Sequence, residues 1–284
     1  MIAAKATIVP AAYDARTKIP GMVAAQGLNQ GQCGSCYAFA SMTSYSYRLA
    51  IATNGKHNMH ISPASASACT NGCNGGSYYY VAQAMNAKGG FGSLECDPYT
   101  QASARNSGHQ CNVGLPDACV TSGVTSLKYK AANFGSISGS YYTQNGDIAL
   151  RTIDQMETLI MAEVAANGPA YIQIHAGSDL IRSRSYNILA LPASTDLNHA
   201  VVVLGWGTEA VDGAPLKYWI VQVCMLTLFT LCVSKLYTVS FSSVNCFLKC
   251  VYVVQNSWGN SWGEDGFGRI KRGVNAGGME LGSC

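Results

Sequence analysis

The sequence predicts an α+β protein with a helical half followed by a sheet half. Helix-period patterns and helix-start signals dominate the early part of the chain, while short β-patterned runs bounded by Gly, Asp and Pro dominate its end. The chain has 284 residues, 48% of them hydrophobic and 12% charged, enough to bury a sizeable core in one large or two small packed units.

The first helix is expected over Ser35 to Ile51, where Phe39, Met42, Tyr45 and Leu49 recur at three- to four-residue spacing. Ser62-Pro63 reads as an N-cap with Pro at the first helical position, opening a short helix. Ser77 is placed to cap a helix that stops at Gly89-Gly90. A longer helix is expected from Ile153 to Ala166, with Met156, Leu159, Ile160 and Val164 on its apolar stripe, ending before Gly168-Pro169. Strands follow at Ala170–Ile174, from His199 through Leu204, from Lys217 through Val221, and at Phe267–Lys271. A boundary near residue 125 divides a helical part (about 21–125) from a sheet part (about 126–284), with 9–284 as one domain and 1–8 as an N-terminal remnant.

A net charge of +3 and scattered basic residues give no electrostatic footprint for nucleic acid or an anionic membrane. Twelve cysteines are many for a reduced cytosolic protein, and the group from Cys33 to Cys119 reads as a disulfide framework in a secreted or vesicular one. The start of the chain carries no apolar signal-peptide core, so a leader is expected to be missing from it.

Residues 223–255 stand apart in composition: they contain no Gly, Ala, Pro, Asp, Glu or Arg, and hold four of the cysteines. A membrane helix is one reading, but Lys235 and Lys249 interrupt the run. A genuine apolar insertion is another, at the cost of a sticky surface. The third, which is preferred, is a translated intron. Val223-Cys224 can be encoded by GTATGT, a common splice-donor sequence, and Gln255 by CAG, a common acceptor end. Its removal joins Gln222 to Asn256.

The densest chemical signal is Gln30-Gly-Gln-Cys-Gly-Ser-Cys36-Tyr-Ala-Phe-Ala. Three further motifs follow in order: Asn71-Gly-Cys-Asn-Gly-Gly76, Asn198-His-Ala-Val-Val-Val-Leu-Gly-Trp-Gly207 and Asn256-Ser-Trp-Gly-Asn-Ser-Trp-Gly263. In these residues the sequence resembles the papain-like cysteine peptidase family, in its cathepsin B/C/Z-type branch. The resemblance runs from Val9 to about Glu280. It implies a two-lobed α+β fold, helical left lobe and β-sheet right lobe, with the active-site cleft between them. The implied activity is peptide-bond hydrolysis through a Cys36 thiolate and a thioester acyl-enzyme. No cofactor and no metal is implied. The expected partners are peptide or protein substrates and cystatin-type protein inhibitors, with no nucleic acid or membrane. A zymogen delivered to a lysosome-like compartment or secreted is also implied.

Each implied role has a physical reason. A thiol must lose its proton to attack a carbonyl, and a helix N-terminus plus a neighbouring imidazolium favour that charge at Cys36. His199 begins an apolar strand, a rigid mount for a base that later protonates the leaving amine. Asn256 can orient that ring through an amide hydrogen bond, and Trp258 would shield the bond. Gln30 matches the oxyanion donor, a role worth about 3–4 kcal/mol of barrier in other hydrolases. Gly75 and Gly76 match a backbone shelf for an extended substrate. The resemblance pairs Cys33 with Cys73 and Cys69 with Cys111. Cys96 with Cys119 is a further candidate pair, and Cys284 is left over. His199 lies 163 residues after Cys36, beyond the roughly 130–150 usual in the family, so longer loops are expected over 97–148.

Other readings compete. Cys33-x-x-Cys36 could be a redox pair, but that leaves the other three motifs unexplained. Cys69 and Cys73 could begin a zinc site, but no second ligand pair follows. His57 and His60 read as solvated loop residues, His175 as packing, and His109 as the lone histidine where two would hold a substrate carboxylate. Val9-Pro-Ala-Ala-Tyr-Asp-Ala-Arg16 is similar to cathepsin B-like mature starts, Glu95-Cys-Asp-Pro-Tyr-Thr100 to dipeptidyl peptidase I, and Phe134-Gly-Ser-Ile-Ser-Gly139 to cathepsin Z; together they lean towards an exopeptidase. A catalytically inactive homologue that serves as a binding or structural protein is the alternative.

Overall fold

The computed structural model describes residues 9–25, 28–100, 111, 130, 134–143, 147–183, 187–223, 227–228, 254–255 and 262–282. Three helices come first: α1 (Cys36–Ala52), α2 (Pro63–Ala68) and α3 (Tyr78–Ala87). A small hairpin of β2 (Ser140–Tyr142) and β3 (Ile148–Leu150) precedes α4 (Ile153–Asn167), and a single turn of helix, α5 (Ser178–Ile181), lies farther along. The main sheet is built from β1 (Tyr13–Asp14), β4 (Ala170–Ile174), β5 (Ile188–Leu189), β6 (His199–Val211), β7 (Ala214–Val223) and β10 (Phe267–Lys271). Its order is β1-β6-β7-β10-β5, with β4 also paired to β6; β5 and β10 run parallel and the other pairs antiparallel. This is the α+β, papain-like arrangement that the motifs imply.

Local chemistry accounts for the element ends. Ser62 Oγ accepts the Ala64 N–H at 3.1 Å, with Pro63 opening α2. Thr152 and Gln155 form a reciprocal capping box at the start of α4. Ser77 precedes α3 but its side chain makes no capping bond. Strands β6 and β7 are longer than the apolar patterns suggest because they form one hairpin closed by Asp212-Gly213, both in the left-handed region at φ 52° and 79°. Such a two-residue turn matches the natural twist of the strands it joins. The register of this pair shifts between Val203 and Gly205. Gly205 is obligatory, since a Cβ there would lie 1.9 Å from the Tyr13 carbonyl of β1.

Helix α1 is buried on nearly every face, with Tyr37, Ala38, Phe39, Met42 and Tyr47 almost fully enclosed. Its buried serines are satisfied locally or across the fold. Ser41 and Ser46 donate to the Tyr37 and Met42 carbonyls, and Ser44 donates to the Pro169 carbonyl at 2.7 Å. Arg48 adds bonds from Nε to the Pro169 carbonyl and from Nη2 to the Gly168 carbonyl, and pairs with Glu163 at 2.8 Å. The helix is thereby bound to the entry of β4. One continuous hydrophobic core joins the two halves, running from α1 through Ile172 and Ile174 of β4 and Val201–Leu204 of β6 to Trp206 and Trp219.

One expectation needs adjustment. His60 is not a solvated loop residue: it is 5% exposed, in a segment that pairs with the chain at Ser93 and Leu94 through the Ile61–Ser93 bridge and the Leu94 N–H to the His60 carbonyl. The boundary near residue 125 lies outside the described residues, as do Cys119, His109 and Cys284. Of residues 223–255, the structure describes the end of β7 and a short antiparallel pair, β8 (Thr227–Leu228) with β9 (Val254–Gln255). Among the described residues no helix is long and apolar enough to cross a membrane.

Candidate active site

The loop from Gln30 to Ser35 leads directly into α1, so Cys36 is the first helical residue. The Ser35 carbonyl already accepts the N–H groups of Ala38 (2.9 Å) and Phe39 (3.1 Å). That leaves the N–H groups of Cys36 and Tyr37 without a helical partner, and these, with the Ala200 backbone, favour the charged form of the Cys36 sulfur. Cys36 packs on the core that includes Ala200, the second residue of strand β6 and the neighbour of His199. Cys36 is the free cysteine among the described residues.

His199 is 5% exposed, and its Nε2 has no hydrogen-bond partner among the described residues. Burial lowers the imidazole to about 4, and burial likewise raises the Cys36 thiol, outweighing the three N–H groups that favour a thiolate. The sequence alone suggests a thiol held low by its helix. Enclosure instead pushes each group separately towards its neutral form. A proton passed from sulfur to ring creates two opposite charges that offset one another's desolvation.

Gln30 is completely buried, and its Nε2 donates to the Cys33 carbonyl at 2.7 Å. Because that carbonyl can only accept, the contact fixes which end of the amide faces it. Cys33 is itself bound to Cys73 by a disulfide with Cα atoms 4.7 Å apart. The Gly75 N–H donates to the Gly34 carbonyl at 3.1 Å, so the glycine segment lies alongside the loop that carries Cys36. Gly75 adopts φ 80° and a Cβ on it would enter open space. Gly76 is different: its Cβ would strike the Tyr37 ring at 2.7 Å, so packing opposes a side chain there. A cavity of about 430 Å³ beside it is bordered by Thr70, Asn71, Gly76 and Tyr80.

The second disulfide joins Cys69 to Cys111. Cys96 is also disulfide-bonded, to a cysteine outside the described residues. Asn256 and Trp258 lie outside the described residues. His175 Nδ1 sits 2.8 Å from the Asp196 carbonyl and 3.6 Å from its carboxylate, with the side chain 31% exposed. Two participants went unnoticed in the sequence, Ser35 and Tyr99. The Tyr99 hydroxyl lies 3.0 Å from Ser35 Oγ and donates to the Gln30 carbonyl at 2.8 Å. Only the position of Ser35, immediately before a helix, signalled anything. Among the described residues no group of three or more His, Cys, Asp or Glu side chains could hold a metal.

The sequence model described as papain family cysteine protease matches residues 9–223 and 236–284, passing over only 224–235 of the intervening chain. The chain belongs to the papain family of cysteine proteases. It is 29% identical over 296 residues to cathepsin B-like cysteine proteinase 4 of Caenorhabditis elegans, covering 96% of this chain and 73% of that relative. A gut-specific cysteine proteinase of the same organism is 28% identical over 289 residues, covering 96% and 71%. Among solved structures, the digestive procathepsin L2 proteinase of Tenebrio molitor larval midgut superposes with a TM-score of 0.66 at 23% identity, covering 98% of this chain and 68% of that one. Bromelain from Ananas comosus in complex with the E64 inhibitor gives 0.62 at 23% identity, covering 97% of both. These structures carry the fold, and the family membership carries the activity: the chain is a thiol-dependent peptidase, a hydrolase acting on peptide or protein substrates.

Proposed function

We propose that Cys36 is the nucleophile of this papain-family peptidase and His199 its general base and acid. The observation that carries the reading is that Cys36, the first residue of α1, packs on the core that includes Ala200 of β6, the strand that His199 opens. His199 takes the thiol proton as sulfur attacks the scissile carbonyl. It gives that proton to the leaving amine as the C–N bond breaks, and then draws a proton from the water that hydrolyses the thioester. The Cys36 N–H and the Gln30 side chain stabilise the oxyanion, Asn256 orients the imidazole, and Trp258 covers that bond. Gly75 and Gly76 pair with the extended substrate. The test is labelling of the full chain by a thiol-directed epoxide. A single adduct is expected on Cys36, absent in Cys36→Ala and strongly slowed in His199→Ala. An adduct on another cysteine, or none, would overturn the assignment.

The activity is further proposed to be exopeptidase-leaning, on the Glu95–Thr100 and Phe134–Gly139 resemblances. Substrates with free termini should be cut faster than the same peptides blocked at both ends. Cystatin-type inhibitors are proposed partners. A lysosome-like or extracellular setting is proposed because the structure holds disulfides.

Residues 223–255 are proposed to be translated intron. Val223 pairs with Val201 and Gln222 with Phe267, so the segment interrupts the chain at a central strand, directly ahead of Asn256. Sequencing the mature transcript should reveal Gln222 and Asn256 codons side by side; a transcript that retains the segment would refute this.

A further inference from the structure

We infer that Tyr99 is a positioning residue for the oxyanion site, acting through Gln30; the inference rests on the assignment of Cys36 and Gln30 above. Two donors must face the oxyanion at a fixed separation, yet they belong to different segments: the Gln30 side chain to a loop, the Cys36 N–H to the start of α1. Between them lie Gly31, at φ 63°, and four further residues with no regular structure beyond a single bridge from Gly34 to Asn74.

The Tyr99 hydroxyl spans that gap. Its one proton goes to the Gln30 carbonyl, which can only accept, so in the 3.0 Å contact with Ser35 it is the serine that donates. Tyr99 thus ties the Gln30 backbone to the residue immediately before Cys36, from a segment more than sixty residues away in sequence. Its ring is held edge-on against Phe39 of α1, centroids 4.5 Å apart at 79°, and Phe39 is 1% exposed.

Ser35 gives the arrangement its second purpose. It occupies the N-cap position of α1 and is completely buried, but makes no side-chain capping bond. A serine at this position ordinarily accepts an N–H of the first turn. Here its hydroxyl is turned to Tyr99 and accepts no N–H of the first turn. One hydroxyl pair therefore fixes the oxyanion loop and keeps the helix end open for chemistry.

The test uses Tyr99→Phe in the full chain, which removes the hydroxyl and leaves the ring. Three quantities are measured: steady-state peptide hydrolysis, affinity for a peptide aldehyde, and the rate of Cys36 alkylation by iodoacetamide against pH. The aldehyde adds to the sulfur and places its oxygen in the oxyanion position, whereas alkylation displaces iodide and forms no oxyanion. We expect kcat and aldehyde affinity to fall about 10-fold, of the order of losing part of one oxyanion donor, with KM and the alkylation rate within 2-fold of the parent. Ser35→Ala should lower kcat comparably, and the double variant should be no worse than either single one. Unchanged kcat and aldehyde affinity in Tyr99→Phe would overturn the inference. So would an equal fall in alkylation, which would mean the substitution disturbs the nucleophile or the fold generally. Turnover surviving in Cys36→Ala would remove the underlying assignment, and the inference with it.

Discussion

Burial of His60 makes the stability of this peptidase fall as the solution becomes acid. The ring is 5% exposed, and neither nitrogen makes a hydrogen bond within normal limits; the Val23 backbone favours its charged form only slightly, and burial is the larger effect. Its folded-state value is about 4, against 6.5 for a free imidazole. Between those values the unfolded chain binds the proton more readily than the folded one, so stability is complete above pH 6.5 and is lost as pH falls through 4. Linkage makes the loss about 2 kcal/mol at pH 5 and about 3 kcal/mol at pH 4. His199 contributes in the same sense, so the variant must isolate His60. Urea unfolding of Cys36→Ala, which removes self-digestion, is compared with Cys36→Ala/His60→Gln at pH 7.5 and pH 4.5. His60→Gln should flatten the dependence by about 2–3 kcal/mol, whatever its effect at pH 7.5. Equal slopes in the two proteins would refute the reasoning.

Gly76→Ala should lower stability by about 1–3 kcal/mol, because its Cβ would press on the ring of the buried Tyr37, and thermal unfolding will read it. Replacing Cys33 and Cys73 together with Ala should cost about 3–4 kcal/mol, since the bridge closes a loop of 40 residues, and denaturant midpoints with and without reductant will check it. Arg272 pairs with Glu157 at 2.8 Å where both are nearly buried, so Arg272→Ala should destabilise by about 3–5 kcal/mol, whereas Arg272→Met with Glu157→Gln should recover much of the loss in the same assay.

Much of the fold was legible because its signals are local. Strands β4 and β10 begin and end where the short β-patterned runs between Gly, Asp and Pro say they should, and Ser62-Pro63 and Gly168-Pro169 punctuate the helices as their backbone preferences require. The extent of β6 and β7 was not legible from apolar patterning: their outer ends are largely exposed, held by pairing with each other. The Asp212-Gly213 turn was the available clue. His60 shows the opposite failure. Its polar neighbours in sequence say nothing of Ser93, which its segment meets only in space. The candidate site divides in the same way. Motifs placed Gln30, Cys36, His199 and the two glycines, whereas Tyr99 reaches the site from a loop without periodicity and could be found only in three dimensions.

The bonds from Ser44 and Arg48 to the Gly168-Pro169 corner have a consequence peculiar to a protease. They stitch the helix bearing Cys36 to the entry of β4, the strand beside the one bearing His199, over a core that runs through both halves without a break. The two walls of the cleft are therefore expected to loosen together, which would leave a neighbouring molecule few half-open copies to cut. Self-digestion should track the population of fully unfolded chains instead, rising only where global stability fails.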